Sequence, residues 1–520
     1  VEGSSGHNGT ILVDIESFPK IILTQKTAGA GGNTTVTLGA DILKTDSNAP
    51  DYKNSVLALD PGNFTGGVTS TEVNTGGKIS AIGYWENRLW MASGNTIVSS
   101  QRNNPYNLWF DDGDTPTDDD PIDLSLSETD ATKIQWIVPF ASSCFLGTDG
   151  TQQFILSGAE DYISPSTIVL SKATEYSTSA TAKPLNIGES LYFVDNGRLY
   201  VYNKTKGGRE FSYSVSEPVL GYFPTTVTQT LLVPSSDYAL FTTSDTDKKN
   251  HIYVFHQRLM PDGNIGQQAF YRWIYGENDS SAPEIKNISN TGDDLHILTK
   301  QNNKYYVQTM SMSRVLETDI LLDKKVIVEG AANSGNTNWE VPYVTDSVSI
   351  VRHTNNFEPL TGLTYSNDGT VTTVAKSGTT YVDEPVTIGE PFTMKLELSP
   401  FILRDENSTH IDSLIQIKSM NVRHYKTGKY EIDITRRGRT NKKSDLLFDP
   451  SRTSNALITV NDADTSTPLH TQKNGQFNAR IAANADDVEI ILKSTYHAPV
   501  NLTNIEAQVD ANIGVNVSIE

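Results

Sequence analysis

Hydrophobic and polar residues alternate in short runs along most of this chain, and the runs are parted by turn chemistry. Residues 81–110, AIGYWENRLWMASGNTIVSSQRNNPYNLWF, hold four apolar or alternating runs at 82–85, 89–92, 96–99 and 108–110. Glu86-Asn87-Arg88, Gly94-Asn95 and Asn103-Asn104-Pro105-Tyr106-Asn107 separate them, which predicts a four-stranded antiparallel meander. A two-residue hairpin turn needs positive φ, so Gly94-Asn95 pins the register. The expected buried face is Leu89, Met91 and Ile97, with Trp85, Trp90 and Trp109 capping the ends. One sheet cannot cover both of its own faces, so further sheets are expected.

They recur along the sequence. Runs at 134–140, 143–146, 152–157 and 167–170 form a second set, with Thr148-Asp149-Gly150 as a hairpin turn. A third begins with 190–194 and 199–203, joined through Asp195-Asn196-Gly197-Arg198. Runs at 239–242, 251–255 and 269–274 suggest a fourth, and 285–289, 295–299 and 305–309 a fifth. Sheets of about four strands at a period of about 40 to 50 residues predict an all-β chain. Its centre, residues 78–310, is read as a β-propeller of four-stranded antiparallel blades, against a run of β-sandwiches.

Additional antiparallel β-domains flank it. Residues 1–77 carry runs at 10–15, 20–24 and 34–38, with room for a short helix over 41–59, and are read as the remainder of an N-terminal β-rich domain. Residues 311–391 are read as a small β insertion or tip domain, with strands at 324–329, 347–352 and 371–375 and loops at 333–338 and 366–369. Residues 392–520 are read as a C-terminal antiparallel β-domain, with strands at 392–398, 412–424, 430–435, 475–480, 488–493 and 501–510.

Composition narrows the class. At 520 residues the chain is too long for one ordinary core. No stretch approaches the ~20 apolar residues of a membrane-spanning helix, and no basic-then-apolar signal peptide opens the sequence. The opening VEGSSGHNG lacks an initiator Met, so an N-terminal portion is expected to be missing. The single cysteine, Cys144, lies in the apolar run Ser143-Cys144-Phe145-Leu146, which predicts a core filler and excludes a disulfide within the chain. A net charge of −21 argues against tight binding to a phosphate backbone.

Charge is unevenly spread. Residues 111–130 hold nine carboxylates and no Lys or Arg. Calcium loops keep a fixed spacing of oxygen ligands, which Asp112-Gly113-Asp114 and Asp118-Asp119-Asp120 do not. Asp111, Asp112, Asp114, Asp118, Asp119 and Asp120 are therefore read as a solvated acidic loop surface. The opposite landmark is Arg423, Lys426, Lys429, Arg436, Arg437, Arg439, Lys442 and Lys443. Nucleic-acid contact is one reading of it. The interleaved Tyr430, Glu431 and Asp433 and the acidic whole favour a subunit or partner interface, for which Arg423, Lys426, Lys429, Arg436, Arg437 and Arg439 are the candidates.

A search for chemistry returns little. Gly-x-Ser-x-Gly, a Walker loop and His-Glu-x-x-His are absent. His251 and His256 bracket one strand and would face opposite ways, which a shared metal forbids. Ser366-Asn367-Asp368-Gly369-Thr370 faintly resembles the aspartate box of sialidases, but lacks the following Trp and stands alone, so a hairpin turn is expected. No catalytic residue, metal or cofactor is predicted.

Several phrases in collinear order carry a resemblance. They are Trp85-Glu86-Asn87-Arg88-Leu89-Trp90, the aspartate-rich lead into Pro121-Ile122-Asp123, Val138-Pro139-Phe140, and 148–157, TDGTQQFILS. The order continues with 187–193, IGESLYF, then Phe270-Tyr271-Arg272-Trp273, Gly389-Glu390-Pro391-Phe392, Leu403-Arg404-Asp405, Arg436-Arg437-Gly438-Arg439, Gly475-Gln476-Phe477, Val488-Glu489-Ile490 and His497-Ala498-Pro499. Together they resemble the tail nozzle, or tail tubular protein B, family of short-tailed podovirus bacteriophages. The resemblance runs from about residue 79 to the end, while 324–383 matches no block.

The resemblance implies a propeller with further β-domains, the N-terminal one a platform for docking. It implies a homohexamer that forms the distal tail tube of the virion, assembled in the host cytoplasm, and no enzyme activity. The implied partners are the adaptor or gatekeeper ring, the tail fibres, and double-stranded genome passing through without specific binding; no small-molecule substrate is implied. A carbohydrate-binding or glycan-cleaving propeller is the alternative, motivated by six Trp and 22 Tyr available for sugar stacking.

Overall fold

The computed structural model describes residues 11–14, 22–25 and 79–513, apart from 109–116, 127–132, 141, 159–162, 189, 205–209, 234–237, 260–264, 278–281, 313–318, 354–356, 358, 370, 400, 402, 405–409, 412, 438–442 and 451–471. Regular structure among these residues is β-strand with a few one-turn 3₁₀ segments. The chain divides into two compact units, Val1–Ala173 and Thr174–Glu520. Expectations for a strand at 34–38, a helix within 41–59 and a role for Trp109 fall outside the described residues.

In the first unit a hairpin pairs Ile11–Asp14 with Ile22–Gln25. The first sheet then runs Ala81–Trp85, Arg88–Ser93, Thr96–Ser99 and Asp123–Ser125 in sequence order. Both tight turns carry the expected chemistry: Glu86 and Asn87 take φ of 50° and 57°, and Gly94 takes 61°. The fourth place belongs to Asp123–Ser125 rather than to a run at 108–110; Leu108 lies outside any strand.

The buried face also differs from expectation. Arg88, Trp90 and Ala92 alternate inward, and Leu89 and Met91 are only half-buried. Ile97 is buried as expected. The inward position suits Trp90, whose Nε1 donates to the Trp85 carbonyl at 3.1 Å while the two indoles stand 5.9 Å apart. Trp85 and Trp90 are core, not end caps.

The second sheet is the meander Ile134–Phe140, Ser143–Thr148, Gln153–Gly158 and Ile168–Thr174. Cys144 is buried in it, and burial pushes its thiol up to about 12. The two sheets share one apolar core. Their first strands approach closely at Gly83, where a Cβ would stand 2.6 Å from Ile137 Cγ2.

The second unit continues the pattern. A third sheet holds Leu185–Ile187, Ser190–Asp195, Arg198–Lys204 and Glu210–Ser214, turning at Asn196 and Gly197, φ 46° and 71°. A fourth holds Val227–Val233, Tyr238–Thr243, His251–Leu259 and Ile265–Ile274. A fifth has three strands, Glu284–Thr291, Asp294–Gln301 and Lys304–Ser311. The first strands of the third, fourth and fifth sheets again lie beside one another. Apolar residues fill the spaces between successive sheets.

Two smaller sheets follow. Asp323–Glu329, Pro385–Glu390 and Ser349–Arg352 form one, and Ala331–Asn333, Asn336–Val341, Thr372–Ser377 and Thr364–Asn367 the other, around Trp339, Ile350, Val374 and Ile388. Residues 333–338 are not a loop: Asn333 pairs with Asn336 across a tight turn at Ser334 and Gly335, φ 48° and 83°. Asp368 and Gly369 turn a hairpin, as expected of that pentapeptide.

The C-terminal part packs two sheets on one core. Met394–Glu397, Val488–Ser494, Tyr430–Arg436 and Lys443–Phe448 make one, in that spatial order. Lys473–Asn484, Ser413–Thr427 and Leu502–Ile513 make the other, with the fifteen-residue strand central. Met420, Val422, Tyr430, Ile432, Phe477 and Leu492 meet between them.

Candidate functional site

The acidic stretch is organised by a residue that hydropathy had not flagged. Arg88 points inward from the second strand of the first sheet and is fully buried. Its Nη2 donates to the Asp118 carbonyl at 2.7 Å; its Nη1 donates to the carbonyls of Asp120 at 2.6 Å, Ser100 at 2.9 Å and Asp119 at 3.2 Å. A planar guanidinium with five donors can gather backbone oxygens that no apolar side chain could satisfy. Burial pulls its proton affinity down, and Asp119 opposes that pull.

The consequence is an anchored loop. Asp120 is buried, and its Oδ2 accepts from the Thr117 amide at 2.7 Å; Asp118 and Asp119 are exposed. Asp111, Asp112 and Asp114 fall outside the described residues. What the loop offers chemically is a fixed acidic surface. No group of three or more His, Cys, Asp or Glu among the described residues could hold a metal ion. The signal that could have found Arg88 is Trp90: with that indole placed inward, alternation sends Arg88 inward as well, and a buried charge calls for polar partners.

The basic stretch does not gather into one patch. Arg423 makes a half-exposed ion pair with Glu506 at 3.3 Å. Lys426 sits at a bulge with φ 48°, its Nζ 5.4 Å from the Tyr425 ring centroid. Arg436 donates to the Ile481 carbonyl at 2.6 Å, and Arg437 is exposed. Lys429 leaves the set of surface candidates: it is buried against Asp449, Nζ to Oδ2 3.1 Å. Lys429 lies between two strands, just before Tyr430–Arg436, in a run at 427–430 that is buried throughout. Arg439 falls outside the described residues.

A second buried ionic node escaped the sequence reading. Lys324 takes φ 47° at a bulge, and its Nζ meets Glu390 Oε1 at 2.7 Å and Gln301 Oε1 at 3.3 Å. Beside it Glu277, Asp323, Ser347, Glu390 and Phe392, among others, line a shallow cleft. Burial raises Asp323 to about 6, with Lys324 opposing. Gly389 permits the bulge, since a Cβ there would stand 2.7 Å from the Asp323 carbonyl.

Comparison with known proteins adds identity to this geometry. The tail tubular protein gp12 of Escherichia phage T7 is 21% identical over 246 residues, which cover 46% of this chain and 30% of that protein. The chain therefore matches less than a third of that relative's length. Among solved structures, human WBSCR16 overlays with a TM-score of 0.26 at 10% identity, covering 44% of this chain and 61% of that one. Hsv2p of Kluyveromyces lactis gives 0.28 at 10% identity, covering 57% and 84%. Overlays this loose carry no argument about fold. The sequence match is of another order: residues 73–510 match the bacteriophage nozzle protein family, and the chain belongs to that family.

Proposed function

We propose that this protein is a structural subunit of the phage virion: part of the distal tail tube through which the genome leaves. The observation that carries the reading is the family match across residues 73–510. The T7 relative, named as a tail tubular protein, supports it. On this reading the five successive meanders are blades of a β-propeller, whose sheets surround a central channel. The side-by-side first strands within each unit support that arrangement. Copies surround the tail axis as a homohexamer, below the adaptor ring and beside the tail fibres.

DNA passes without being held. Duplex DNA carries one charge per ~1.7 Å of axis, so an acidic wall discourages sticking. The anchored loop with Asp118 and Asp119 is assigned to such a wall, and Arg423 and Arg437 to the contact between copies. Electron microscopy with mass determination on the purified chain, alone and with its adaptor ring, tests the reading. Rings of six copies with an axial hole are expected, and a monomer indifferent to other tail proteins would sink the proposal.

A further inference from the structure

The C-terminal sandwich closes its core on one side and leaves it open on the other. In the sheet of Lys473–Asn484, Ser413–Thr427 and Leu502–Ile513 the fifteen-residue strand is central, so the two twelve-residue strands are its edges among the described residues. At the first edge Phe477, Ala479 and Ile481 are buried. At the second, Ile505, Ala507 and Val509 pack against the same core but are only half-buried.

An edge strand presents N–H and C=O groups that can template another strand, and proteins blunt such edges with bulges, Pro or inward charges. The Lys473–Asn484 edge is blunted: its register breaks beside Ala482, at φ 50°, and again beyond Gly475. The Leu502–Ile513 edge is not. Its own register skips a residue only at Thr503, so 504–511 pair without a break and contain neither Pro nor Gly. Backbone and half-covered core call for the same thing, one more strand that is apolar toward the core and polar away from it.

The strand itself has that pattern, and it pairs with its own twin without conflict. Two copies joined antiparallel about a two-fold axis keep inward side chains beside inward ones only in every second register. With the axis at Ala507, Ile505 lies opposite the partner's Val509 and Ala507 opposite its twin, so the open part of both cores is covered. On the polar face Glu506 lies opposite the partner's Gln508, and Asn504 opposite the partner's Asp510. Each carboxylate thus meets an amide that can donate to it.

Moving the axis by one residue spoils the match. At Glu506 two carboxylates face each other directly, and at Gln508 each Glu506 faces the partner's Asp510. Within their own sheet Glu506 and Asp510 are countered by Arg423 at 3.3 Å and Lys418 at 2.7 Å, so no uncompensated charge is carried to the seam. We infer that Leu502–Ile513 is a self-association edge, through which two copies of this chain pair antiparallel, centred on Ala507, into one continuous sheet. The pairing removes an aggregation-prone edge from the free chain. A two-fold contact cannot join neighbours around a six-fold axis, so the inference concerns free copies and does not rest on the tail-tube reading.

Cysteine cross-linking of the full chain tests the register. Ala507→Cys sets two thiols directly opposite, with Cβ atoms ~4.5–5.5 Å apart, close to what a disulfide spans; the native Cys144 is buried and does not compete. Asp510→Cys sets them ~20 Å apart at ~3.3 Å per residue. Under mild oxidation Ala507→Cys is expected to run as a covalent dimer on a non-reducing gel, and Asp510→Cys as a monomer. Sedimentation equilibrium at about 0.15 M salt reads the polar face. Gln508→Glu opposes carboxylates at two places and is expected to weaken the pair about five-fold, while Gln508→Lys tightens it by a similar factor. A wild-type chain that stays monomeric, equal cross-linking at 507 and 510, or the same shift from both Gln508 variants overturns the inference. A cross-linked pair that never forms rings would count against the tail-tube reading alone.

Discussion

Single residues carry the clearest consequences. Arg88 satisfies carbonyls at Ser100, Asp118 and Asp120 from a fully buried position. Leaving a buried polar group without its partner costs about 1–3 kcal/mol. Arg88→Met is therefore expected to lower the stability of the first unit by about 3 kcal/mol or more, read from urea unfolding followed by tryptophan fluorescence. Arg423→Met, at a half-exposed pair, should change stability by less than about 1 kcal/mol. Equal effects would show that the Arg88 network is not the anchor. The sequence made the turns legible, because Gly94 and Asn196-Gly197 announce positive φ by residue type. It hid Arg88, because an arginine among tryptophans reads as a surface interruption until a third partner, the 118–120 backbone, is seen to need it.

Asp323 gives the complementary case, with its sign fixed by burial. Its carboxyl is raised from the ordinary 3.8 to about 6, so the folded chain holds that proton more tightly than the unfolded one. A raised acid contributes stability below about pH 4, and the contribution is lost as pH climbs to about 6. Each tenfold change in proton affinity corresponds to ~1.4 kcal/mol. Asp323→Asn should thus raise stability at pH 7 by roughly 2 to 3 kcal/mol and leave it nearly unchanged at pH 4. Urea midpoints of both proteins across that range check this; a variant less stable at pH 7 would show that the ionised form is favoured through Lys324.

At the scale of elements, two sheets, one in each unit, carry apolar side chains outward. Ile82 and Tyr84 on the first sheet, and Tyr305 and Val307 on the fifth, are each more than half exposed. Sequence periodicity found these strands but not their uncovered faces, since alternation reports a buried side only where a neighbour exists. A closed propeller leaves no blade face open, so the two faces test that reading one at a time. Surface substitutions away from special features usually fall within about 0.5 kcal/mol, whereas a carboxylate placed on a covered apolar face loses both burial and solvation. The propeller reading requires a cover over these faces, and on it Tyr84→Glu and Val307→Glu, made separately, cost about 2 kcal/mol each by denaturant unfolding; the exposure of both side chains predicts less than about 0.5 kcal/mol. If both are tolerated, the faces are open to water and the meanders are not closed blades. The turn at residues 334 and 335 makes the same point from the other side. Asn, Ser and Gly at 333–338 looked like a loop by composition, yet the register needed only two residues to reverse the chain.

At the scale of the whole molecule, collinear sequence blocks made the family legible, but assembly depends on surfaces that no block describes. Each copy carries a formal charge of −21, and copies brought around one axis repel. Attraction through the basic stretch is narrower than its composition suggested. Lys429 is paired with Asp449, Arg436 is bonded to a backbone carbonyl, and Arg423 already faces Glu506. Repulsion acts over about 30 Å at 0.01 M salt and about 8 Å at 0.15 M, while apolar contact is not weakened by that change. Association of the purified chain is therefore expected to strengthen as salt rises between those limits, with the oligomer forming at lower protein concentration. Arg437→Glu should weaken it only a few-fold throughout. Sedimentation velocity over a concentration series at each salt level measures both effects. Association that instead weakens steadily with salt, and collapses on reversal of Arg437, would show that ion pairs from the basic stretch hold the copies together and that the acidic excess faces elsewhere.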